Sequence, residues 1–162
     1  MGARDWIRNR RGEWYVLAQA VLVLLVLLAP RLDGRPPSLD TGAAAAATIA
    51  GAVFAALGLT LVASGAVSLG NSVSPYPRPK EDGQLVETGA FAIVRHPIYT
   101  GLSLLALGYS LIWMSFAALA ATAALFVLLD VKSRREERWL AEKYDGYRAY
   151  STQVRRLIPF VY

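Results

Sequence analysis

Long uncharged blocks alternate with charged ones along this chain, a pattern that predicts several membrane-spanning helices. The first uncharged block extends from Trp14 to Ala29, the second from Gly42 to Gly70, and the third over 33 residues from Pro97 to Leu129. The second block is easily long enough to cross about 30 Å of hydrocarbon at about 1.5 Å per residue. Between the second and third blocks, prolines, glycines and charges of both signs predict a surface loop.

The third block is either one long tilted helix or a tight hairpin of two short helices, and the basic residues decide between them. A hairpin gives four crossings and places both ends of the chain on one side of the membrane. That side then holds 15 of the 17 Lys and Arg residues, including Arg4, Arg8, Arg10 and Arg11, whereas the other side holds Arg31 and Arg35. Because basic residues concentrate on the cytoplasmic side, the hairpin is favoured.

The predicted fold class is therefore all-α, with four transmembrane helices that include a short helical hairpin, and with a C-terminal cytoplasmic or interfacial helix. The predicted spans are 14–29, 42–70, 97–113 and 115–131, followed by a cytoplasmic helical segment at 132–162. A chain of 162 residues suits one domain, so 1–162 is expected to form a single integral-membrane unit. No small-residue cleavage site follows residue 29, which favours an uncleaved first helix over a signal peptide.

Small and polar side chains indicate where the spans contact one another. Gly51, Ala55, Gly58 and Gly65 in the second span would let another helix approach closely. Gln19 is the most polar side chain within the first span. A single glutamine at such a position favours an interhelical hydrogen bond over a transport pathway.

The segment after residue 132 is charged but retains aromatic residues. Leu140, Tyr144 and Tyr147 follow the i, i+4, i+7 spacing of one helical face. This face is expected to pack on the membrane domain or lie in the interface. The helix is expected to break or bend around Asp145 and Gly146.

Composition narrows the chemistry available to the chain. The hydrophobic fraction of 55% is typical of a membrane protein, and the net charge of +5 arises from basic residues that flank apolar blocks, where anionic lipid headgroups are their expected partners. The absence of cysteine excludes disulfides and thiol nucleophiles. A single histidine, His96, excludes a multi-histidine metal site, so no metal is expected.

His96 belongs to a cluster at the start of the third span. Pro97 fixes its own φ and disfavours the α region for the preceding residue, which places Pro97 in the first helical turn and His96 just before it. The free N–H groups and the positive end of the helix dipole would then lie beside Arg95 and His96, an arrangement that attracts a carboxylate or phosphate. Contact with lipid phosphates alone is the alternative interpretation.

A second cluster, residues 132–137, carries basic and acidic side chains directly after the fourth span. Lys132 and Glu136 are four residues apart, which lets them pair on one helical face. Glu136 and Glu137 are adjacent, so at most one of them is expected to point into a site. A solvated run of charges is the alternative interpretation of this cluster.

The predicted topology brings the two clusters together, because both lie at the cytoplasmic ends of the hairpin. One cluster offers cationic groups and helix N–H donors, and the other offers carboxylates and a lysine. Together they suit a small zwitterion that carries both a carboxylate and an ammonium group.

The residues of these clusters resemble those of a known family. The sequence "PYPRPKEDGQLVETGAFAIVRHPIYTG", a hydrophobic hairpin, and then "EERWLAEKYDGYRAYSTQVRRLIP" are similar to the isoprenylcysteine carboxyl methyltransferase family of integral-membrane methyltransferases, a group that includes phospholipid N-methyltransferases. The resemblance covers roughly residues 70–160, and its joint pattern is RHPxYxG, EExxL and YxxY.

The resemblance implies that S-adenosylmethionine binds in a cytoplasm-facing pocket and that a lipophilic substrate enters from the bilayer. The implied cofactor-binding residues are Arg95, His96, Pro97, Ile98, Tyr99, Leu104, Tyr109, Glu136 and Tyr147. The implied catalytic residues are Lys132, Glu136 and Glu137. Lys132 stands where some members carry an arginine that meets the substrate, and lysine lacks the bidentate fork of arginine.

Several functions remain open at this level. The acceptor is a carboxylate, which needs no base, or an amine, which must lose a proton to Glu136 or Glu137. A membrane sterol or steroid reductase that uses a reduced nicotinamide cofactor has a similar motif, but a glutamate follows its glycine where this chain has Leu102. A non-catalytic membrane scaffold is a further alternative. The alanine- and arginine-rich composition indicates the inner membrane of a bacterium.

Overall fold

The computed structural model describes residues 11–33 and 42–162, and no β-strand occurs among them. The described residues form the helices α1 (Glu13–Leu28), α2 (Gly42–Leu69), α3 (Pro97–Ile112), α4 (Phe116–Lys143) and α5 (Tyr147–Gln153). The predicted all-α class is confirmed. Four of the basic residues used to predict the topology, Arg4, Arg8, Arg10 and Arg35, lie outside the described residues.

Three helical segments of the described chain are long and apolar enough to cross a membrane. They are α1 with its following turn (Glu13–Arg31), α2 with its following turn (Gly42–Ser72), and α4. Helix α3 has 16 residues and reaches only about 24 Å. Aliphatic side chains such as Leu24, Leu57 and Val127 are exposed on these helices, as expected where helices contact lipid.

The end of α1, the end of α3 and the start of α4 lie together at one end of the structure. The Tyr109 hydroxyl donates to the carbonyl of Leu27, 2.9 Å away. Ser115 caps α4, since its hydroxyl oxygen accepts from the N–H of Ala118 at 2.9 Å. The carboxylate of Asp33, just beyond α1, accepts from the Ser115 hydroxyl. The uncharged block that starts at Pro97 is thus two helices joined by a tight turn.

The opposite end joins α1, the loop after α2 and the second half of α4. The ammonium group of Lys132 donates to the side-chain oxygen of Gln19 at 2.7 Å and to the carbonyl of Pro75 at 3.2 Å. The Tyr144 hydroxyl donates to the carbonyl of Gly83 at 2.6 Å. The expected interhelical role of Gln19 is therefore confirmed.

Helices α2 and α3 pack antiparallel along a row of glycines. A Cβ atom added to Gly58 would lie 2.6 Å from the carbonyl oxygen of Gly101, and one added to Gly51 would lie 2.6 Å from that of Gly108. Near the end of α2, Gly65 faces Pro97 and Ile98. The prediction that these glycines permit close approach is confirmed. Their contact fixes the position of the start of α3, where the first cluster lies.

Helix α4 is longer than the sequence analysis predicted. The predicted division at residues 131 and 132 falls within α4, which continues without a break to Lys143. The residues between these points are mostly good helix formers, and an ion pair of 2.8 Å between Arg134 and Asp130 connects successive turns. The second cluster is therefore part of the same continuous helix as the apolar residues that precede it.

The prediction that Leu140, Tyr144 and Tyr147 share one helical face is wrong. Helix α4 ends at Lys143, and Tyr144 has an extended backbone with φ −121° and ψ 115°. Tyr147 begins α5 on the other side of the turn that contains Gly146. The break itself occurs around Asp145 and Gly146, as expected.

The glycine row generates a test of the fold with a matched control. Gly58→Ala is expected to lower the free energy of unfolding by about 1–3 kcal/mol, because the new methyl group overlaps the backbone of α3. Gly42→Ala adds the same methyl group at the start of α2, where no atom lies within 4 Å. Thermal unfolding of both variants in detergent is the measurement; equal melting temperatures would contradict the packing described here.

Candidate functional site

The side chain of Arg95 connects α4, α5 and the segment before α3. Its Nε donates to Oε1 of Glu137 at 2.8 Å. One terminal nitrogen donates to the carbonyl oxygens of Ser151, at 2.7 Å, and Val154, which belong to the end of α5. A cation at this position satisfies carbonyl groups that a helix end leaves without partners. Arg95 therefore has a clear architectural role.

The backbone around Arg95 is held by the chain that follows α5. The N–H of Arg95 donates to the carbonyl of Arg155 at 2.8 Å, and the N–H of His96 donates to that of Arg156 at 3.1 Å. These bonds resemble a short strand pairing, although no strand is formed. They fix the direction in which the His96 side chain leaves the backbone.

His96 lies between two carboxylates. Its Nδ1 is 3.9 Å from Oε2 of Glu136, and its Nε2 is 3.4 Å from Oε1 of Glu137. The imidazole is stacked on the ring of Tyr99, with ring centroids 5.3 Å apart. The Tyr99 hydroxyl donates to Oε2 of Glu136 at 2.7 Å. The structure thus brings the two sequence clusters together.

The start of α3 adds backbone donors to this group of side chains. His96 is the N-cap residue and makes no side-chain capping bond, and Pro97 is the first residue of the helix. The N–H groups of the first turn, among them those of Ile98 and Tyr99, have no partners within the helix. Their dipole favours negative charge, which stabilises the ionised form of a nearby carboxylate or holds an anionic ligand.

A cavity opens beside these residues between α3, α4, α5 and the loop after α2. Its volume is about 120 Å³, or about 670 Å³ when the adjoining space that is open to solvent is included. Its polar lining includes Ser74, Gln84, Arg95, His96, Tyr99, Glu136, Tyr147 and Tyr150. Its apolar lining includes Leu69, Leu85, Val86, Phe91, Pro97, Ile98 and Leu140.

Two tyrosines of α5 form one wall of the cavity. The Tyr150 hydroxyl donates to the carbonyl of Phe91 at 2.6 Å. The Tyr147 hydroxyl is buried, and no acceptor among the described residues meets hydrogen-bonding geometry with it. Burial raises the pKa of Tyr147 well above its ordinary value, and the nearby carboxylate of Glu137 raises it further. Tyr147 therefore remains a neutral donor that a bound ligand could satisfy.

Lys132 lies outside the cavity lining, against the ring of Tyr99. Its side chain is buried, and its ammonium group is 4.8 Å from the centroid of that ring. The predicted pairing with Glu136 is absent from the ion pairs of the described residues, because Gln19 and Pro75 bind the ammonium group instead.

Two predicted site residues lie far from this cavity. Leu104 and Tyr109 do not contribute to its lining, and the hydroxyl of Tyr109 binds Leu27 at the opposite end of the structure. Helix α3 is regular from its start to Ile112, so each residue moves the chain about 1.5 Å away from the first turn. The role of Leu104 and Tyr109 in cofactor binding, which the family resemblance implied, therefore stays a prediction that this cavity does not support.

Glu136 and Glu137 face two different depressions on either side of α4. Glu136 lines the cavity, whereas Glu137 faces a second cleft, where Arg95 and Arg156 lie 2.8 and 3.8 Å from its oxygens. The expectation that one glutamate points into the site agrees with this placement. Both carboxylates nevertheless contact His96.

The part of the cavity wall that comes from the loop after α2 was not predicted from the sequence. Leu85 and Val86 are apolar residues within a charged loop, and both line the cavity. Two adjacent apolar residues in an otherwise charged loop could have indicated that this part of the loop is buried against the rest of the protein. Leu69, Ser74, Gln84 and Phe91, which also line the cavity, carry no comparable signal.

Comparisons with known proteins place these residues within a family. The family described as phospholipid methyltransferase matches residues 46–146, more than half of the chain. The chain is 32% identical over 112 residues to the protein-S-isoprenylcysteine O-methyltransferase of Schizosaccharomyces pombe, covering 67% of this chain and 48% of that protein. It is 27% identical over 155 residues to the cobalt-zinc-cadmium resistance protein CzcN of Cupriavidus metallidurans, covering 94% of this chain and 64% of that protein.

The chain thus spans about half of the first relative and less than two thirds of the second. The family match includes Arg95, His96, Tyr99, Glu136 and Glu137, the residues that meet beside the cavity. The resemblance inferred from the RHPxYxG and EExxL motifs is confirmed. On this match, the chain belongs to the phospholipid methyltransferase family, alongside the isoprenylcysteine carboxyl methyltransferases.

Proposed function

We propose that this protein is an S-adenosylmethionine-dependent methyltransferase that methylates a lipophilic acceptor at the membrane surface. The observation that carries the proposal is the cavity in which Glu136, Tyr99 and His96 meet at the first turn of a membrane helix. Membership of a methyltransferase family supports the reaction type. The position of the cavity at the end of apolar helices supports a lipophilic acceptor.

We further propose that 1–162 forms one integral-membrane domain with four crossings and with both ends in the cytoplasm. In support of this topology, α1 to α4 alternate in direction and the joined helix ends lie at two opposite levels. The distribution of basic residues favours a cytoplasmic location for the end of the structure that contains Lys132. Helix α3, the short one, packs along the longer α2, which helps it to cross the bilayer. We assign the protein to a bacterial inner membrane.

The cavity residues fit the cofactor in kind. The carboxylate of Glu136 suits a cationic ammonium or sulfonium group. The free N–H groups at the start of α3 and the unsatisfied hydroxyl of Tyr147 suit a carboxylate or a hydroxyl-bearing group. Leu85, Val86 and neighbouring apolar side chains offer a wall for a flat base.

The reaction asks little of the protein beyond positioning. When bound, the cofactor supplies a methyl group on a positively charged sulfur. The residues of this chain then have to align the acceptor with that methyl group and exclude water from the cavity. The apolar lining, with Leu140 and Phe91 among its members, serves the exclusion of water.

Proton transfer depends on the acceptor, which is either a carboxylate or an amine. A carboxylate acceptor requires no base. For an amine acceptor, Glu136 is better suited than Glu137 to take the proton, because two arginines lie beside Glu137. Lys132 acts as a positioning residue in this proposal, since it contacts the face of Tyr99, which in turn holds Glu136.

Glu136→Gln is expected to weaken the binding of S-adenosylmethionine at least tenfold, because the amide keeps the shape of the side chain but removes its charge. Glu142→Gln is the matched control, since Glu142 is exposed on the same helix. Calorimetric titration of the detergent-purified proteins with S-adenosylmethionine, in parallel with NADPH, measures both affinities.

Equal affinity of the folded Glu136→Gln variant and the wild type would refute the assignment of Glu136. Binding of NADPH alone would move the protein to the reductases. Absence of binding to both compounds by the wild type would favour a scaffold.

Arg95→Gln is expected to reduce stability by about 2–3 kcal/mol, because it removes charge-assisted hydrogen bonds to Glu137 and to the end of α5. Tryptic cleavage within residues 147–156 should accelerate in this variant. Arg135→Gln is the control, as Arg135 is exposed and stacks on Trp139. Wild-type stability and cleavage rate in Arg95→Gln would show that Arg95 does not hold α5 in place.

A further inference from the structure

The residues after α5 form a compact turn that lies at the level where the membrane helices begin and end. Leu157 is buried, and its carbonyl accepts from the Thr100 hydroxyl in the first turns of α3 at 2.7 Å. The Tyr162 hydroxyl donates to Asp130, the first charged residue of α4, at 3.2 Å. The turn is therefore pinned to the two helices at the boundary between their apolar and charged residues.

This turn exposes large apolar side chains at that boundary. Phe160 is 87% exposed, Val161 is 73% exposed, and Ile158 is also exposed. The turn has a defined shape, because the N–H groups of Leu157 and Ile158 both donate to the carbonyl of Tyr162 at 2.8 Å. Within it, Phe160 adopts a φ of 65°, a conformation that side-chain-bearing residues rarely adopt. A strained turn that presents its apolar side chains outward indicates a partner for them.

An arginine-lined cleft lies next to the turn. It is an open cleft of about 410 Å³ between α4 and α5, and five arginines but a single glutamate, Glu137, contribute to its lining. The guanidinium groups of Arg134 and Arg156 both donate to the Tyr162 hydroxyl, which joins the cleft to the turn. We call this region the arginine cleft.

The positive charge of the arginine cleft is not balanced within the described residues. Arg138 and Arg148 line it and form no ion pair with any carboxylate of residues 11–33 or 42–162. The Nε of Arg156 is buried and lacks a hydrogen-bond partner in the same part of the chain. Side chains on a helix lean toward its N-terminus, so Arg134 and Arg138 lean toward the apolar half of α4, and thus toward the bilayer.

We propose that this region is a lipid-binding anchor: Ile158, Phe160 and Val161 enter the bilayer interface while the arginine cleft binds the phosphate of an anionic phospholipid. Exposed apolar side chains beside basic ones at a membrane boundary are the usual composition of an interfacial anchor. The anchor is connected to the cavity, because residues 155 and 156 hold the backbone of Arg95 and His96. Anionic lipid therefore stabilises the wall of the cavity. The inference holds whichever methyl acceptor the protein uses.

The depth of the turn can be measured directly, because the chain contains no cysteine. A spin label on Phe160→Cys, in the full chain reconstituted in vesicles of phosphatidylcholine and phosphatidylglycerol, is expected to be accessible to oxygen and protected from a water-soluble nickel reagent. A label on Thr152→Cys, exposed on α5, is the control and should show the opposite preference. Equal access of the nickel reagent to both positions would overturn the insertion of the turn.

Lipid selection tests the arginine cleft separately. The wild type is expected to retain phosphatidylglycerol over phosphatidylcholine several-fold in native mass spectrometry, and the Arg138→Gln/Arg148→Gln variant should lose this preference. The Arg135→Gln/Arg155→Gln variant removes the same charge from exposed positions outside the cleft and should keep it. Equal lipid preference in the two variants would overturn the site. Thermal stabilisation of the wild type by inorganic phosphate as large as that by phosphatidylglycerol would assign the cleft to a soluble phosphate compound instead.

Discussion

The guanidinium group of Arg95 is the interaction on which the rest of the site depends. This group donates to the carboxylate of Glu137 on α4 and to two carbonyl groups at the end of α5. The backbone N–H of the same residue donates to the carbonyl of Arg155, beyond α5. Without this cation, Glu137 would be a partly buried carboxylate beside His96 and Arg156, and the carbonyl groups of Ser151 and Val154 would lose a side-chain donor. Removing one member of such a group is costly because the others remain unpaired.

A second constraint, the glycine contact between α2 and α3, determines where Arg95 and His96 lie. Because Gly58 and Gly101 allow the two backbones to touch, the first turn of α3 is fixed against the end of α2. The long helix α4 then carries Glu136 to the hydroxyl of Tyr99. In this way the chain, which has no metal-ligating cluster among its described residues, forms a polar cavity where its apolar helices end. The proposed methyl transfer suits such a site, since it relies on alignment and the exclusion of water.

The sequence was sufficient to predict which segments meet, but not how each side chain is used. The proximity of His96 and Glu136 could be predicted from the topology, because the two ends of a helical hairpin lie on the same side of the membrane. The partners of Arg95 could not be predicted, since two of them are carbonyl groups more than 50 residues away whose availability depends on where α5 ends. The continuation of α4 to Lys143 was missed because a change from apolar to charged residues was interpreted as the end of a helix.

Local spacing was the least reliable guide. Leu140, Tyr144 and Tyr147 have helical spacing, yet the chain turns between them. Lys132 has the right spacing to pair with Glu136, but Gln19 on another helix binds it more directly.

The most direct test of the central proposal is to follow the methyl group itself. The purified protein would be reconstituted with a bacterial lipid extract and S-adenosylmethionine whose methyl group carries deuterium, and the lipid-soluble products would be analysed by mass spectrometry. The expected result is deuterated methyl incorporation into one class of lipophilic compound by the wild type, with little or none by Glu136→Gln. Equal incorporation by the two proteins would contradict the role of the cavity, and no incorporation by a wild type that binds the cofactor would contradict a lipid acceptor.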